Sequence, residues 1–325
     1  MSVPTPGRAP LDATIVICSR DRPRMLAETV DSVLAGACVP RELLVVDQSQ
    51  VAHADLAARG LVRGCAITYL HTSSSGLSRA RNIGLCAAAC KVVVLLDDDM
   101  YVEPGWLQRL LEGHAQCGPR AVATGRVLAG PAEGGSGAVP HSALVTRSEP
   151  AVYRGRQPTD VVAGANVALY RDVVLALGGY DERLGAGGRF ASADDNDMGL
   201  RLLEAGCEVR HVPDAVVLHR AWRTAGGRAR MRWAYGRGKG AFYAKHMRRS
   251  DPYALARMRA DARGRLQAAA RNMPRAPTAA AGHALYLAGM LAGAAEWLAR
   301  ERRKRPNHVG ATYEAEASTT FGDPD

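Results

Sequence analysis

The chain has 325 residues, of which 47% are apolar and 23% are charged, close to the average of globular proteins. This composition excludes a disordered chain, a collagen-like chain and a membrane protein with many spans. The formal net charge of +10, from 42 Lys and Arg against 32 Asp and Glu, favours anionic partners such as phosphates, nucleic acid or an acidic membrane surface.

The cysteines and the first residues indicate where the protein is made and kept. The seven cysteines form neither a CxxC pair nor a zinc-finger spacing, which favours buried, reduced thiols. The opening MSVPTPGRAPLDAT has no apolar run behind a basic start, so no secretory signal peptide is predicted. We therefore expect a cytoplasmic protein.

Short β-branched runs alternate with helical patterns along the first third of the chain. The runs ATIVICS, ELLVVD, AITYL and KVVVLLDDDM predict strands at residues 13–19, 42–47, 66–70 and 91–100. Helical patterns lie between them, in a helix that opens at Pro23, in residues 51–63 and in residues 76–90. This alternation predicts an α/β fold with a mostly parallel, Rossmann-like sheet flanked by helices.

The middle of the chain is less regular. The Gly-rich residues 130–140 predict a surface loop, and residues 160–170 return to a strand pattern. Residues 194–205 predict a helix that Gly206 ends, and CEVRHVPDAVVLHR supplies further strands.

The composition changes sharply after about residue 221. Residues 221–249 hold nine Lys or Arg and no acid, and residues 279–299 form an almost uncharged Ala, Leu and Gly helix. We therefore expect a core at residues 12–220 and a basic, helical C-terminal extension at residues 221–325. The extension fits nucleic acid, an anionic membrane surface on the inner face of the membrane, or a solvated face that helps to close a site.

Polar side chains follow three of the predicted strands. Ser19 and Arg20 end the first strand, Asp47 ends the second, and Asp97, Asp98 and Asp99 follow a third. Ligands of open parallel sheets bind at these carboxyl ends. Asp97 and Asp99 are two residues apart and point the same way in an extended chain, so they can share a hard cation. An acidic turn that closes a strand explains the same residues without a ligand.

A second acidic cluster lies in ASADDNDMGLRLLEAG. Asp194 and Asp195 fall at a predicted helix start, where the helix dipole and unpaired N–H groups favour ionised carboxylates. Asp197 and Arg201 are four residues apart and can form an ion pair along the helix. An ionised carboxylate at the edge of a cleft is what a general base requires.

Seven ordered motifs carry a resemblance to a known family: TIVICSRDRP, LLVVDQS, GLSRARNIG, VVLLDDDM, GANVALYRDVVLALGGYDERLG, ADDNDMGLRLLEAG and VVLHR. Together they cover about residues 12–220 and are similar to the family 2 glycosyltransferases, which have the GT-A fold. The resemblance implies an inverting, metal-assisted transfer of a sugar from a nucleoside diphosphate sugar, by default a UDP-sugar, to an acceptor hydroxyl. It also implies a nucleotide-sugar half at about residues 12–100 and an acceptor and catalytic half at about residues 101–220.

The resemblance implies a role for each matching position. The nucleotide pocket would be lined by Ser19, Arg20, Asp47 and Arg79, with Asp98 near the ribose or the sugar. The metal site for Mg²⁺ or Mn²⁺ would consist of Asp97 and Asp99, with His219 beside it.

The resemblance also implies the catalytic and sugar-binding positions. Asp195 would be the base, and Asp194 stands where the family more often has Glu, so the choice between these two neighbours stays open. The floor of the donor-sugar site would be formed by Gly164 and Asn166, and Asp181 would face the sugar or the acceptor.

Two other classes of function stay open at this point. One is a nucleic-acid or membrane-surface binding module on a Rossmann-like scaffold, with nucleic acid the less expected partner. The other is a nucleotidyltransferase, which would normally have a Gly-rich phosphate loop after its first strand, and ICSRDRP lacks these glycines. The sequence specifies neither the acceptor nor the donor sugar.

Overall fold

The computed structural model describes residues 9–132, 144–221 and 227–301, which build one mixed sheet and the helices around it. The strands of its first half are β1 (Leu11–Ser19), β2 (Pro40–Asp47), β3 (Leu61–Val62), β4 (Cys65–His71), β5 (Val92–Asp97) and β6 (Met100–Val102). The strands of its second half are β7 (Ala121–Ala132), β8 (Ala151–Tyr153), β9 (Val167–Tyr170) and β10 (Glu208–Ala221).

Nine α-helices occur within the described residues. The helices of the first half are α1 (Pro23–Leu34), α2 (Ala54–Ala57), α3 (Leu77–Ala87) and α4 (Trp106–Ala115). They are followed by α5 (Arg171–Ala176), α6 (Asp194–Glu204), α7 (Arg228–His246), α8 (Tyr253–Asn272) and α9 (Pro277–Glu296), which continues as a π-helical turn at Trp297–Glu301. No helix in the described ranges is long and apolar enough to cross a membrane.

The sheet has the strand order β3-β4-β2-β1-β5-β9-β7-β10-β6, and β8 pairs with β10 beside this path. Strands β4, β2, β1 and β5 are parallel to one another, while β9 runs antiparallel to both of its neighbours. The central strands are buried on both faces, as continuous β-branched runs predict. The predicted α/β fold, a mostly parallel sheet flanked by helices with a helical C-terminal extension, is confirmed.

Three local predictions differ from the structure. Residues 51–63 form only the short helix α2 and strand β3, because Gly60 and Gly64 adopt positive φ angles and turn the chain back into a hairpin. Residues 160–166 form a loop, and only the last part of the predicted strand at 160–170 belongs to β9. Of the predicted loop at 130–140, residues 130–132 continue β7, and the remainder lies outside the described residues.

Glycines let helices α7 and α9 of the C-terminal extension pack closely against each other. Gly236 and Gly240 of α7 lie against the main chain of α9, and Gly289 and Gly293 of α9 lie against the main chain of α7. At each position a Cβ atom would overlap a main-chain oxygen of the other helix. The Gly-rich composition of these segments therefore serves close helix packing, which lets α9 hold α7 against the core.

Candidate active site

The carboxyl ends of β1, β2 and β5 meet at one edge of the sheet, as the sequence predicts. Ser19 lies opposite Asp47 in the pairing of β1 with β2, and Cys18 lies opposite Asp97 in the pairing of β1 with β5. Strand β10 reaches the same edge by pairing with β6, which sets His219 opposite Met100. The sheet register thus brings together residues that are up to 200 positions apart in the chain.

Asp97, Asp99 and His219 form a cluster that could hold a metal ion. One ligand atom from each lies within 4.8 Å of the others. Nε2 of His219 lies 3.6 Å from Oδ1 of Asp99, which is too long for a direct hydrogen bond. Two carboxylates with one imidazole suit a divalent cation such as Mg²⁺ or Mn²⁺. The donor set and its convergence therefore fit the predicted metal site.

Asp98 points below this cluster, into the protein. Its side chain is fully buried, accepts a 2.6 Å hydrogen bond from the hydroxyl of Ser19 and lies 2.8 Å from the guanidinium of Arg22. Burial raises the pKa of Asp98 to about 7, although Arg22 opposes the rise. Asp98 and Ser19 therefore brace the turn that presents Asp97 and Asp99.

Arg81 is the central residue that our sequence analysis missed. It is buried on α3, 2.5 Å from the carboxylate of Asp194 and 3.4 Å from that of Asp97, and it donates a 2.6 Å hydrogen bond to the carbonyl of Gly164. The resemblance implies Arg79 of the same motif as a residue of the nucleotide pocket, but Arg79 is half-buried and lies 3.6 Å from Glu182. Helical period was the available signal, because Ser78, Arg81, Asn82 and Leu85 share the buried face of α3.

Asp194 and Asp195 begin α6, as predicted, but their environments differ. Asp194 is buried against Arg81, whereas Asp195 is half-buried and accepts a 2.9 Å hydrogen bond from the main-chain N–H of Asn196. Burial, and secondly repulsion from Asp194, raises the pKa of Asp195 to about 7. The helix start therefore does not keep Asp195 ionised under all conditions, contrary to our expectation. A carboxyl with a pKa near neutrality is suited to accept a proton.

A cavity of about 1170 Å³ joins the two acidic clusters. Asp97 and His219 line it from the sheet edge, and Asp194 and Asp195 line it from α6. The opposite wall comes from α7, α8 and α9 of the C-terminal extension, and contributes Lys239, Tyr243, Arg257 and Tyr286. The volume is in the range of sites for sizeable ligands.

Asp197 forms the predicted ion pair within α6 and also contacts α7 of the extension. Asp197 is fully buried, 2.9 Å from Arg201 on its own helix, and 2.7 and 2.8 Å from Lys245 and His246 of α7. Lys245 and Arg201, together with the hydrogen bond from His246, hold the pKa of Asp197 well below its usual range despite its burial.

A second ion-pair group lies beside Asp195. Lys239 pairs with Asp160 and donates a 2.9 Å hydrogen bond to the side chain of Asn196, and Arg257 of α8 lies 2.7 Å from Asp160. The basic extension is therefore bound to the core through specific carboxylates, next to the acidic residues of α6.

Several predicted site residues do not line this cavity. Asn166 is fully buried with a φ of 59°, and its amide donates to the carbonyls of Arg126 and Ala215 and accepts from Trp106. Asp181 is buried in ion pairs with Arg183 and Lys245.

The predicted nucleotide-binding residues Ser19, Arg20 and Asp47 lie at the sheet edge and Arg79 lies on α3, all outside the cavity lining. Asp47 is buried there and accepts hydrogen bonds from the hydroxyls of Ser49 and Tyr69. Arg20 is exposed, 3.5 Å from Asp21. Gly164 does line the cavity, with its carbonyl on Arg81.

The sequence of residues 14–175 matches the family model described as "Glycosyl transferase family 2". The chain belongs to this family. Over 221 residues, it is 30% identical to the "Pre-mycofactocin glycosyltransferase" of Mycobacterium tuberculosis (strain ATCC 25618 / H37Rv), in an alignment that covers 66% of this chain and 44% of the relative. The chain thus spans less than half of the length of that curated relative.

Solved structures of other glycosyltransferases share the fold. The mannosyltransferase PcManGT from Pyrobaculum calidifontis, in complex with GDP-Man and Mn²⁺, superposes with a TM-score of 0.53 over 99% of this chain and 84% of that chain, at 18% identity. GalNAc-T7 with UDP, GalNAc and Mn²⁺ superposes with a TM-score of 0.51 over 77% of this chain and 54% of that chain, at 21% identity. At these identities the likeness extends to the GT-A fold.

Proposed function

We propose that this family 2 glycosyltransferase moves a sugar from a nucleoside diphosphate sugar to an acceptor hydroxyl, with inversion at the anomeric carbon and with the assistance of a divalent metal. One observation carries the proposal. Asp97 and His219 of the cluster that they form with Asp99 line the same cavity as Asp195. A site for an anionic leaving group and a site for proton removal are the two parts that such a reaction needs.

Asp97, Asp99 and His219 would hold Mg²⁺ or Mn²⁺. When bound there, the cation neutralises the negative charge that develops on the departing diphosphate. The likeness of the fold to two glycosyltransferase structures that contain Mn²⁺ supports this assignment. Arg81 keeps Asp97 and Asp194 in fixed positions relative to each other, through contacts to both carboxylates.

We place the nucleotide at the carboxyl ends of β1 and β2. Ser19, Arg20 and Asp47 lie at this edge, and Arg79 lies on the helix that follows β4. We take a UDP-sugar as the default donor, with Gly164 in the wall beside the sugar. Asn166, Asp98 and Asp181 act from outside the cavity, by fixing the backbone and helices that surround the donor.

Asp195 is the base of the proposed reaction. The acceptor oxygen forms a bond to the anomeric carbon while its proton passes to the carboxylate of Asp195. The bond from the anomeric carbon to the diphosphate oxygen breaks, and its electron pair leaves with the diphosphate. Attack opposite the leaving group inverts the anomeric centre. Asp194 pairs with Arg81, which opposes the rise in its pKa that burial causes, and it supports Asp195 without taking the proton.

The ion pairs of the extension favour this enzyme over a nucleic-acid binding module. Lys239 and Lys245 of α7 are paired with carboxylates of the core, and Arg237 lies 2.6 Å from Glu296 of α9. Basic residues that are committed to internal carboxylates cannot also neutralise phosphates of a nucleic acid. We therefore propose that α7 and α8 complete the wall of the acceptor site.

The test is a thermal-shift and product-release assay on the full chain with a panel of nucleoside diphosphate sugars. With Mn²⁺, we expect one donor to raise the melting temperature and to release nucleoside diphosphate slowly by hydrolysis, and EDTA to abolish both effects. Asp12→Asn is a matched control, because Asp12 is exposed and pairs with Arg41. If no donor binds in the presence of metal, or if binding is the same with EDTA, the proposal is wrong.

A further inference from the structure

The outward face of α9 is apolar from residue 279 to the end of the helix, and exposed Thr278 lies in its first turn. Between residues 281 and 299 every exposed side chain belongs to Ala or Leu. Leu285, Leu291 and Leu298 are 36%, 63% and 42% exposed. Leu291 and Leu298 are seven residues apart and lie on the same side of the helix and its π-helical end, and Leu285 lies about a third of a turn around the helix from them. The single acidic residue of this segment, Glu296, is held in ion pairs with Arg189 and Arg237.

The neighbouring helix shows that this pattern is not a general property of the extension. On α8 the exposed residues include Arg259, Arg263 and Arg271, interspersed with apolar ones. From residue 279 to residue 299 the outward face of α9 has no exposed polar side chain, a hydration cost that surface helices normally avoid. The face of α9 is therefore suited to contact something apolar.

Basic residues stand at both ends of the apolar face. Arg271 and Arg275 lie where α8 turns into α9, and Arg300 lies at the other end. The sequence continues beyond Arg300 with Glu301 and then with Arg302, Arg303, Lys304 and Arg305, which lie outside the described residues. An apolar stripe with cations at both ends is complementary to a lipid surface with anionic headgroups.

The same charges disfavour a second copy of this chain as the occupant. If two copies paired through α9, parallel or antiparallel, the basic end of one helix would face a basic end of the other. The position of Trp233 on α7 also favours a lipid surface as the partner of α9. Its ring is 39% exposed, and its carbonyl lies against Gly289 in the middle of α9. Tryptophan is enriched at membrane interfaces, where its ring has both apolar and polar contacts.

We propose that α9 lies flat on an anionic membrane, with its apolar face at the boundary between headgroups and acyl chains. The contact that we propose is peripheral, along the side of α9. This inference rests on the surface of α9 and does not depend on the proposed glycosyl transfer.

Flotation of the full chain with vesicles tests the proposal. At low salt we expect binding to vesicles of roughly one part phosphatidylglycerol to two parts phosphatidylcholine, and little binding to phosphatidylcholine alone. Leu291→Glu should lower the partition coefficient about tenfold or more, since it sets a charge in the middle of the face. Arg275→Glu should lower it about fivefold or more, because each basic residue near the surface contributes about that factor.

Leu266→Glu is the matched control, because Leu266 is 58% exposed on α8, close to the 63% of Leu291. Binding that Leu291→Glu weakens and Leu266→Glu leaves unchanged would support the proposal, provided both variants melt like the parent chain. The proposal is overturned if acidic vesicles do not bind the chain, or if both variants lose binding equally. It is also overturned if sedimentation shows a dimer that Leu291→Glu dissociates, since a second copy would then cover the face.

Discussion

Replacing Asp195 by Asn separates proton transfer from donor binding. The amide keeps the size of the side chain and can still accept the hydrogen bond from the N–H of Asn196, but it cannot take up a proton. A general base contributes typically about 10²–10⁴-fold to the rate, which corresponds to about 3–5 kcal/mol of the barrier. We expect the rate of transfer to fall by that factor, while the affinity for the donor, measured by calorimetry, changes little.

The pH dependence of the parent enzyme provides a second measurement. Burial and the repulsion from Asp194 raise the pKa of Asp195 to about 7, so the carboxylate form dominates only above that pH. We expect kcat/KM to rise about tenfold per unit of pH below pH 7 and to level off above it. A flat profile between about pH 5 and pH 8 would contradict the assignment.

The raised pKa also predicts how the variant affects stability. Between the ordinary pKa of 3.8 and about 7, the folded protein keeps a proton that the unfolded chain loses. Stability therefore falls as pH rises through this window. Asp195→Asn removes this loss, so the variant should melt at a higher temperature than the parent chain at pH 8, although it is nearly inactive.

Asp194→Asn distinguishes the two neighbouring carboxyl groups. It removes the nearest carboxylate of the buried Arg81, and breaking a buried ion pair costs about 3–5 kcal/mol of stability. We expect a lower melting temperature and a smaller loss of turnover than in Asp195→Asn. The reasoning is refuted if Asp195→Asn transfers sugar at the parent rate, or if Asp194→Asn loses more turnover with unchanged stability.

Two further predictions address the metal cluster and the packing of the extension. Asp99→Asn should abolish the rise in melting temperature caused by Mn²⁺ with donor, whereas Asp12→Asn should retain it; equal responses would remove Asp99 from the metal site. Gly293→Ala should lower the free energy of unfolding by about 1–3 kcal/mol, because its Cβ would overlap the carbonyl oxygen of Arg237. Gly282→Ala on the same helix, where the nearest atom is 3.7 Å away, should not destabilise the protein in urea titrations; similar losses in both would refute the role of close packing.

The sequence predicts the parallel half of the sheet well because its strands are buried on both faces. The continuous apolar, β-branched runs of β1 and β5 are typical of buried strands, and Pro23 marks where α1 starts. The helix prediction for residues 51–63 was wrong because their apolar residues match a helical pattern, while the positive φ angles of Gly60 and Gly64 favour a hairpin. The local sequence pattern does not show whether the surrounding structure selects the helix or the hairpin.

The sequence likewise reveals some residues of the candidate site and not others. Carboxylates at strand ends are visible in the sequence, because the topology of a parallel sheet fixes where those ends meet. Arg81 was missed because two arginines of one motif differ only in which side of α3 they occupy. The resemblance predicts Asn166 at the floor of the donor-sugar site, and the sequence does not show that its amide donates hydrogen bonds to main-chain carbonyls. Pairing of this kind depends on distant residues, and a single sequence does not contain it.

Truncation after residue 221 tests whether the predicted core at residues 12–220 is a separable unit. Removal of α7 and α8 would leave Asp160 without Lys239 and Arg257, and removal of the π-helical turn after α9 would expose Phe190, which packs with Trp297. Since uncompensated carboxylates and exposed aromatic rings both destabilise a fold, we expect the shortened chain to lose its cooperative thermal transition and to bind a hydrophobic dye. If it instead melts cooperatively at the temperature of the full chain, the core folds alone. The extension would then complete the wall of the acceptor site without supporting the core.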